Sequence, residues 1–298
     1  MKVADAHCDT LTKYPTNFLY DQNAHWNIDK FKISNGLLQY FAIFTPPDYA
    51  GDSALKYAVN SIGNFIKNSN NEIQLIEKKD DFDENKINIL LSLEGASPII
   101  NDINNLYAFY KLGIRAMGLT WNHRNFVADG INNDYGLTSF GIEVIKEMEN
   151  INMIIDVSHL NKNGFNDVVY HTTKPFIASH SNSRFIFDNK RNLYDDQILE
   201  IISRKGFIGI NFYSEFISDK SNNLKLELLR HIEHILKLGG ENILGLGADF
   251  DGIDSTPFED AASYPELISL LAYELKLENE LIEKIMYKNL LNFTLKSI

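Results

Sequence analysis

The chain carries a series of short, nearly unbroken apolar runs, and several end on a residue that can ionise. The run Ile87-Asn88-Ile89-Leu90-Leu91-Ser92-Leu93, closed by Glu94-Gly95, is typical. Runs of this kind read as parallel strands covered on both faces, because a strand with one wet face would alternate apolar and polar residues. Eight can be placed: Val3 into His7-Cys8-Asp9, then residues 36–45, 87–93, 116–120, 153–159, 175–181, 207–212 and 243–248. Helical spacing fills most of the intervals, at 52–69, 103–112, 138–150, 162–171, 195–203 and 223–238, with further helical segments at 265–272 and 278–295. Residues 11–33 show no period and read as a long loop, and the charged stretch 77–86 reads as solvated. Eight strands alternating with helices over 298 residues predict an α/β chain forming one (β/α)8 TIM barrel, with residues 1–298 as a single domain. A doubly wound open sheet is the alternative.

Composition narrows the partners. Hydrophobic residues at 44% and charged residues at 23% suit a chain that buries a sizeable core. A net charge of -12 leaves no basic surplus to neutralise phosphates, so no nucleic-acid partner is expected, while an acidic surface is compatible with a homodimer. One cysteine rules out an internal disulfide and fits a reducing compartment. Met1 leads directly into a strand, and no apolar run approaches the ~20 residues of a membrane helix. A cytoplasmic protein without a membrane segment is the expectation.

The ionisable residues gain meaning on this map. His7 and Asp9 end the first strand, Glu94 the third, His159 the fifth, His180 the sixth and Asp249 the eighth. In a regular strand His7 and Asp9 point to one face and Cys8 to the other. A barrel gathers all these strand ends at one face, where active sites of the fold lie. Three imidazoles and three carboxylates converging there are too many for one catalytic Zn²⁺, and they suit two ions that share a carboxylate. His171, His231 and His234 fall on predicted helices and are expected at the surface or half buried. No nucleophilic triad or phosphate-binding Gly-rich loop is present.

Together these motifs resemble a known family. Asp5-Ala6-His7-Cys8-Asp9-Thr10, Leu93-Glu94-Gly95, Leu119-Thr120-Trp121-Asn122, Ile155-Asp156-Val157-Ser158-His159, Ser179-His180-Ser181, Arg191-Asn192 and Gly247-Ala248-Asp249-Phe250-Asp251-Gly252 occur in order along the chain. The ordered set resembles the renal (membrane) dipeptidase family of zinc peptidases, peptidase family M19. The resemblance implies an amidohydrolase-like barrel that hydrolyses dipeptides with two Zn²⁺ ions. By motif position, His7 and Asp9 would bind one ion, His159 and His180 the other, and Glu94 would bridge them. Asp249 would be the acid/base aspartate, with Asp251 next in line for proton transfer. Arg191, with Asn192 beside it, would receive the C-terminal carboxylate of the substrate. Mammalian members place a substrate-contacting histidine directly after Leu-Thr. Here Trp121 stands there, so Asn122 or His123 is the candidate for polarising the scissile carbonyl. Other readings of the same ligands are another binuclear amidohydrolase (a lactonase, phosphotriesterase or other amide hydrolase) and a non-catalytic metal-binding protein. The second would need neither Asp249 nor Arg191.

Overall fold

The computed structural model describes every residue except 220 and 221. Its strands are β1 (Val3–Cys8), β2 (Gly36–Phe44), β3 (Ile73–Leu75), β4 (Ile87–Glu94), β5 (Ile114–Gly118), β6 (Ile154–Asp156), β7 (Ile177–Ala178), β8 (Phe207–Ile210) and β9 (Leu244–Leu246). β1 pairs with both β2 and β9, β2 pairs with β4, and the remaining neighbours follow in sequence, all parallel. The ring therefore closes as an eight-stranded parallel barrel, which disposes of the open sheet. β3 stands outside the ring and pairs only with the start of β4, Ile73 opposite Ile87. Three residues, Ile-Gln-Leu, are too few to show a period, and the sequence reading missed this strand.

The barrel interior is divided along its axis. At the N-terminal end, Ala4, Leu38, Tyr40, Leu90, Ala116 and Phe207 meet Leu290 and Phe293 of the C-terminal helix Asn289–Ser297, which plugs that end. Tyr40 buries its hydroxyl there, 2.7 Å from Thr294 Oγ1, so the plug also satisfies a polar group. At the other end the interior becomes polar and holds the ionisable residues. Around β7, only two residues long, the strands come very close: a Cβ on Gly209 or Gly247 would lie 2.0 or 1.8 Å from Ser179 O. No side chain fits at either position.

β1 departs from regular alternation, and the departure sets the site. Asp5 is opposite Gln39 and Cys8 is opposite Phe41, so three steps on β1 match two on β2. This is a β-bulge, with one extra residue on β1. Ala4 and Ala6 pack in the interior, whereas Asp5 faces outward to Tyr264 and Cys8 joins the outer core. Strict alternation from Ala6 would send His7 outward, and the bulge returns it to the interior. Asp5 braces the bulge, accepting hydrogen bonds from His7 N at 2.9 Å, Ala248 N at 3.0 Å and Tyr264 Oη at 2.6 Å.

Other expectations need correction. The segment 11–33 is not all loop, since it contains the short helices Thr10–Lys13 and Ile28–Ile33. Asn27 caps the second through Lys30 N, a signal too brief for a periodicity reading. His231, expected at the surface or half buried, is fully buried on the helix Leu224–Lys237. Its Nδ1 accepts Ser183 N–H at 3.1 Å and its Nε2 donates to Ile217 O at 3.0 Å. No helix among the described residues is long and apolar enough to cross a membrane.

Candidate active site

At the C-terminal face, His7 and Asp9 come from the end of β1, Glu94 from the last residue of β4, and His159 and His180 from the turns after β6 and β7. Asp249 follows β9. His7 Nε2 lies 3.4 Å from Asp9 Oδ2, 3.5 Å from Glu94 Oε2 and 3.8 Å from Asp249 Oδ1. The other Glu94 oxygen, Oε1, is 2.9 Å from His159 Nε2 and 3.8 Å from His180 Nε2. One carboxylate thus faces two histidine groups, one oxygen to each.

Neighbours fix the two later imidazoles. His159 Nδ1 is 2.9 Å from Asn122 Oδ1, an oxygen that can only accept, so Nδ1 carries the proton. His180 Nδ1 is 2.8 Å from Ser179 Oγ, whose proton goes to Asp156 Oδ2 at 2.5 Å. Asp156 also accepts Ser158 N–H and Ser179 N–H, both at 3.0 Å. Both Nε2 lone pairs are therefore directed into the site, the state a metal-binding imidazole requires. Asn122 and Asp156 thus prepare the ligands from behind. The sequence motifs contained both residues without indicating this task.

Charge and space also fit divalent cations. Burial lowers the affinity of His7 for a proton, but the adjacent Glu94 and Asp9 carboxylates outweigh it and hold the pKa well above the ordinary value. The cluster therefore favours positive charge at this point. Burial, then the Arg191 charge, pushes His159 down to about 4, and burial with nearby cations holds His180 well below its usual range. Both stay neutral and able to ligate at neutral pH. His7 Nε2 and Asp9 Oδ1 are buried with no hydrogen-bond partner among the described residues. Gly252 keeps the adjoining space open: a Cβ there would sit 2.2 Å from Asp9 Oδ2 and 2.6 Å from Asp249 Oδ1.

Asp249 has a backbone φ of +64° and His159 one of +67°, uncommon for residues with side chains. Asp249 Oδ2 accepts Asn211 Nδ2 at 2.9 Å, and burial raises its pKa to about 6. Asp251 is turned away. It accepts His25 N at 2.7 Å, Trp26 N at 3.2 Å and Thr10 Oγ1 at 2.5 Å, so it ties down the β1 loop.

A cavity of about 710 Å³ opens over the cluster, lined in part by Asp9, Glu94, Trp121, His159, Arg191 and Asp249. Arg191 is 4% exposed and donates through Nη2 to His180 O at 3.1 Å, while its Nε has no partner among the described residues. A buried, unpartnered donor on a guanidinium that lines a cavity suits an anionic group of a ligand. Asn192 turns the other way, donating to Phe187 O at 3.0 Å and Phe216 O at 2.8 Å. Trp121 packs edge-on to Phe44 and walls the cavity. His123 is exposed, does not line the cavity, and has its Nδ1 3.5 Å from Asn132 Nδ2.

Fold and site together define a TIM-barrel enzyme of the metal-dependent hydrolase type. A sequence model of the membrane dipeptidase family, peptidase family M19, matches residues 1–296, and the chain belongs to that family of metallo-dipeptidases. An uncharacterized protein encoded in the pqqA 5′ region of Klebsiella pneumoniae is 34% identical over 211 residues, covering 66% of this chain and 77% of its own length. An uncharacterized dipeptidase of Schizosaccharomyces pombe is also 34% identical, over 237 residues covering 74% of this chain and 57% of its own. Among solved structures, a dipeptidase of family M19 superposes with a TM-score of 0.93 at 24% identity, covering 100% of this chain and 98% of the other. A Rhodobacter sphaeroides metallopeptidase, bound to a phosphinate mimic of L-Ala-D-Ala, superposes with a TM-score of 0.91 at 23% identity, covering 100% and 99%.

Proposed function

We propose that residues 1–298 act as one catalytic domain that hydrolyses dipeptides with two bound Zn²⁺ ions. The observation that carries this reading is the split carboxylate of Glu94, with Oε2 near His7 and Oε1 near His159 and His180. His7 and Asp9 would hold one ion, His159 and His180 the other, and Glu94 would be shared. When bound, such ions supply Lewis acidity toward the scissile carbonyl and make an attacking water more acidic.

The protein's own groups do the rest. Asp249 accepts the proton of the attacking water and passes it to the leaving amine. Its raised pKa, about 6, keeps both forms within reach near neutral pH. Asn211 holds the other Asp249 oxygen and so orients the group. Arg191 pairs with the C-terminal carboxylate of the dipeptide, which fixes the scissile bond over the cluster. Asn122 is committed to His159 and we assign it to holding that imidazole, and we give His123, which does not line the cavity, no part in substrate binding.

The test is one purified sample taken through metal analysis and a panel of dipeptides, lactones and phosphotriesters. Two zinc ions per chain with turnover confined to dipeptides is the expected result. Turnover of the esters alone would assign the site to another branch of binuclear hydrolases, and full activity in metal-free protein would end the reading.

A further inference from the structure

A second cavity lies at the opposite end of the barrel, with a volume of about 840 Å³. It is bounded by residues that precede strands, Met153 before β6, Pro175 before β7, Gly206 before β8 and Ile243 before β9, and by the C-terminal helical stretch. Six of its lining residues are cationic (Lys174, Arg204, Lys205, Lys284, Lys288 and Lys296), in a chain whose net charge is -12. Its one acid, Glu149, is held by the backbone N–H groups of Thr173 and Lys174, at 2.8 and 2.5 Å.

Some of these cations are already committed. Arg204 donates to Glu200, Thr172 and Val169, Lys288 pairs with Glu283, and Lys174 caps Glu149 O and Asn152. Lys205, Lys284 and Lys296 have no ion pair or hydrogen bond from their ammonium groups among the described residues. Lys284, Lys288, Asn292 and Lys296 are spaced four apart and all line the cavity. The stripe begins in a π-helical turn, Lys284–Lys288, a rare conformation often found at functional sites. Between the cations the wall mixes asparagines (Asn152, Asn242 and Asn292) with apolar side chains, Ile154, Ile243 and Phe293 lying buried beneath it.

We propose that this cavity is a second binding site, for a small organic phosphate. The phosphate would be drawn to the field of Lys205, Lys284 and Lys296, and the apolar part would rest on Ile154, Ile243 and Phe293. Cations gathered along one cavity repel one another, and a dianion bound there reduces that cost. A partly apolar wall lined by several cations, in a volume within the range of small-molecule sites, is the chemistry such a ligand uses. A long polyanion is disfavoured, because the rest of the acidic surface would repel it.

The test uses the metal-loaded enzyme and measures binding of AMP, adenosine and inorganic phosphate by calorimetry, with sedimentation on phosphatidylglycerol vesicles as a separate arm. AMP should saturate one site and bind more tightly than phosphate or adenosine. The triple variant Lys205→Gln/Lys284→Gln/Lys296→Gln removes no ion pair or hydrogen bond of the ammonium groups among the described residues, so its melting temperature and dipeptide turnover should match wild type. Its affinity for AMP should fall about tenfold, as expected for three partly exposed charges. Vesicle binding that the triple variant loses would support the same phosphate chemistry with a lipid headgroup as its source. AMP binding unchanged in the triple variant would place the phosphate at the metal centre and overturn the proposal. So would AMP binding no tighter than inorganic phosphate, or the absence of saturable binding by every probe.

Discussion

His159 and His180 face each other through their Nε2 atoms, 2.8 Å apart, while Asn122 and Ser179 hold the opposite nitrogens. With the protons on the held nitrogens, two lone pairs point at the same small space. A divalent cation relieves that repulsion directly, and Glu94 Oε1 is within 2.9 Å of His159 to complete its surroundings.

Metal content is therefore the first expectation. Purified protein should hold about two Zn²⁺ per chain, and a chelator should abolish activity that added Zn²⁺ restores. Glu94→Gln should reduce occupancy at both positions. If atomic absorption shows one ion lost and the other retained, Glu94 is not shared.

Asp249→Asn preserves the bond from Asn211 in size but removes the proton acceptor. Turnover should fall roughly 100- to 10,000-fold, the range for general acid–base groups, with metal content nearly unchanged. Loss of metal along with turnover would make Asp249 a ligand first.

Arg191→Met separates recognition from support. Leaving the substrate carboxylate unpaired should cost roughly 2–5 kcal/mol on dipeptides. A dipeptide amidated at its C-terminus, already poor for wild type, should change little. Equal losses on both substrates would show that Arg191 supports the fold or the metals.

Gly252→Ala places a methyl where Asp9 Oδ2 and Asp249 Oδ1 now sit, 2.2 and 2.6 Å from the new carbon. Overpacking of this kind costs about 1–3 kcal/mol, and here the atoms that must move are the site itself. Metal affinity should drop while the circular dichroism spectrum stays native. An unchanged metal titration would mean that Asp9 and Asp249 are free to shift.

His231 gives the chain a pH-dependent stability apart from the site. Burial lowers its pKa to about 4, so as pH falls the unfolded chain takes the proton first. Its contribution is complete above the ordinary histidine value of about 6.5 and is lost progressively between there and pH 4, up to about 3 kcal/mol. Urea midpoints for wild type and His231→Gln should converge on acidification over that window. Parallel pH profiles would show that His231 is not kept neutral by the fold.

How much of this was legible beforehand depended on the kind of signal. Runs such as Ile87–Leu93 announced the barrel, because a strand buried on both faces leaves a continuous apolar signature. The strand-end residues His7, Glu94, His159, His180 and Asp249 could be gathered at one face from their positions in the sequence alone. The bulge in β1 could not be read, since one extra residue leaves no mark on hydropathy, and simple alternation placed His7 correctly relative to Asp9 while missing how it turns inward. His231 looked like a helix-surface residue because its burial comes from the loop carrying Ser183 and the segment at Ile217, distant partners that local spacing does not reveal. Asn122, Asp156 and Gly252 act through geometry behind or beside the ligands, and polar or small residues near a strand end do not advertise such roles.

The closure of β1 onto β9 also has a consequence for how the molecule comes into being. Asp5 meets Leu246 and its carboxylate receives Ala248 N–H, a contact spanning 243 residues. His7 and Asp9 leave the ribosome long before their neighbour Asp249. The N-terminal end of the barrel stays unplugged until Leu290 and Phe293 follow. Partial chains therefore carry ligand histidines without a completed centre. Assembly of the metal site is a late event in synthesis, set by the sequence separation of the strands that form it.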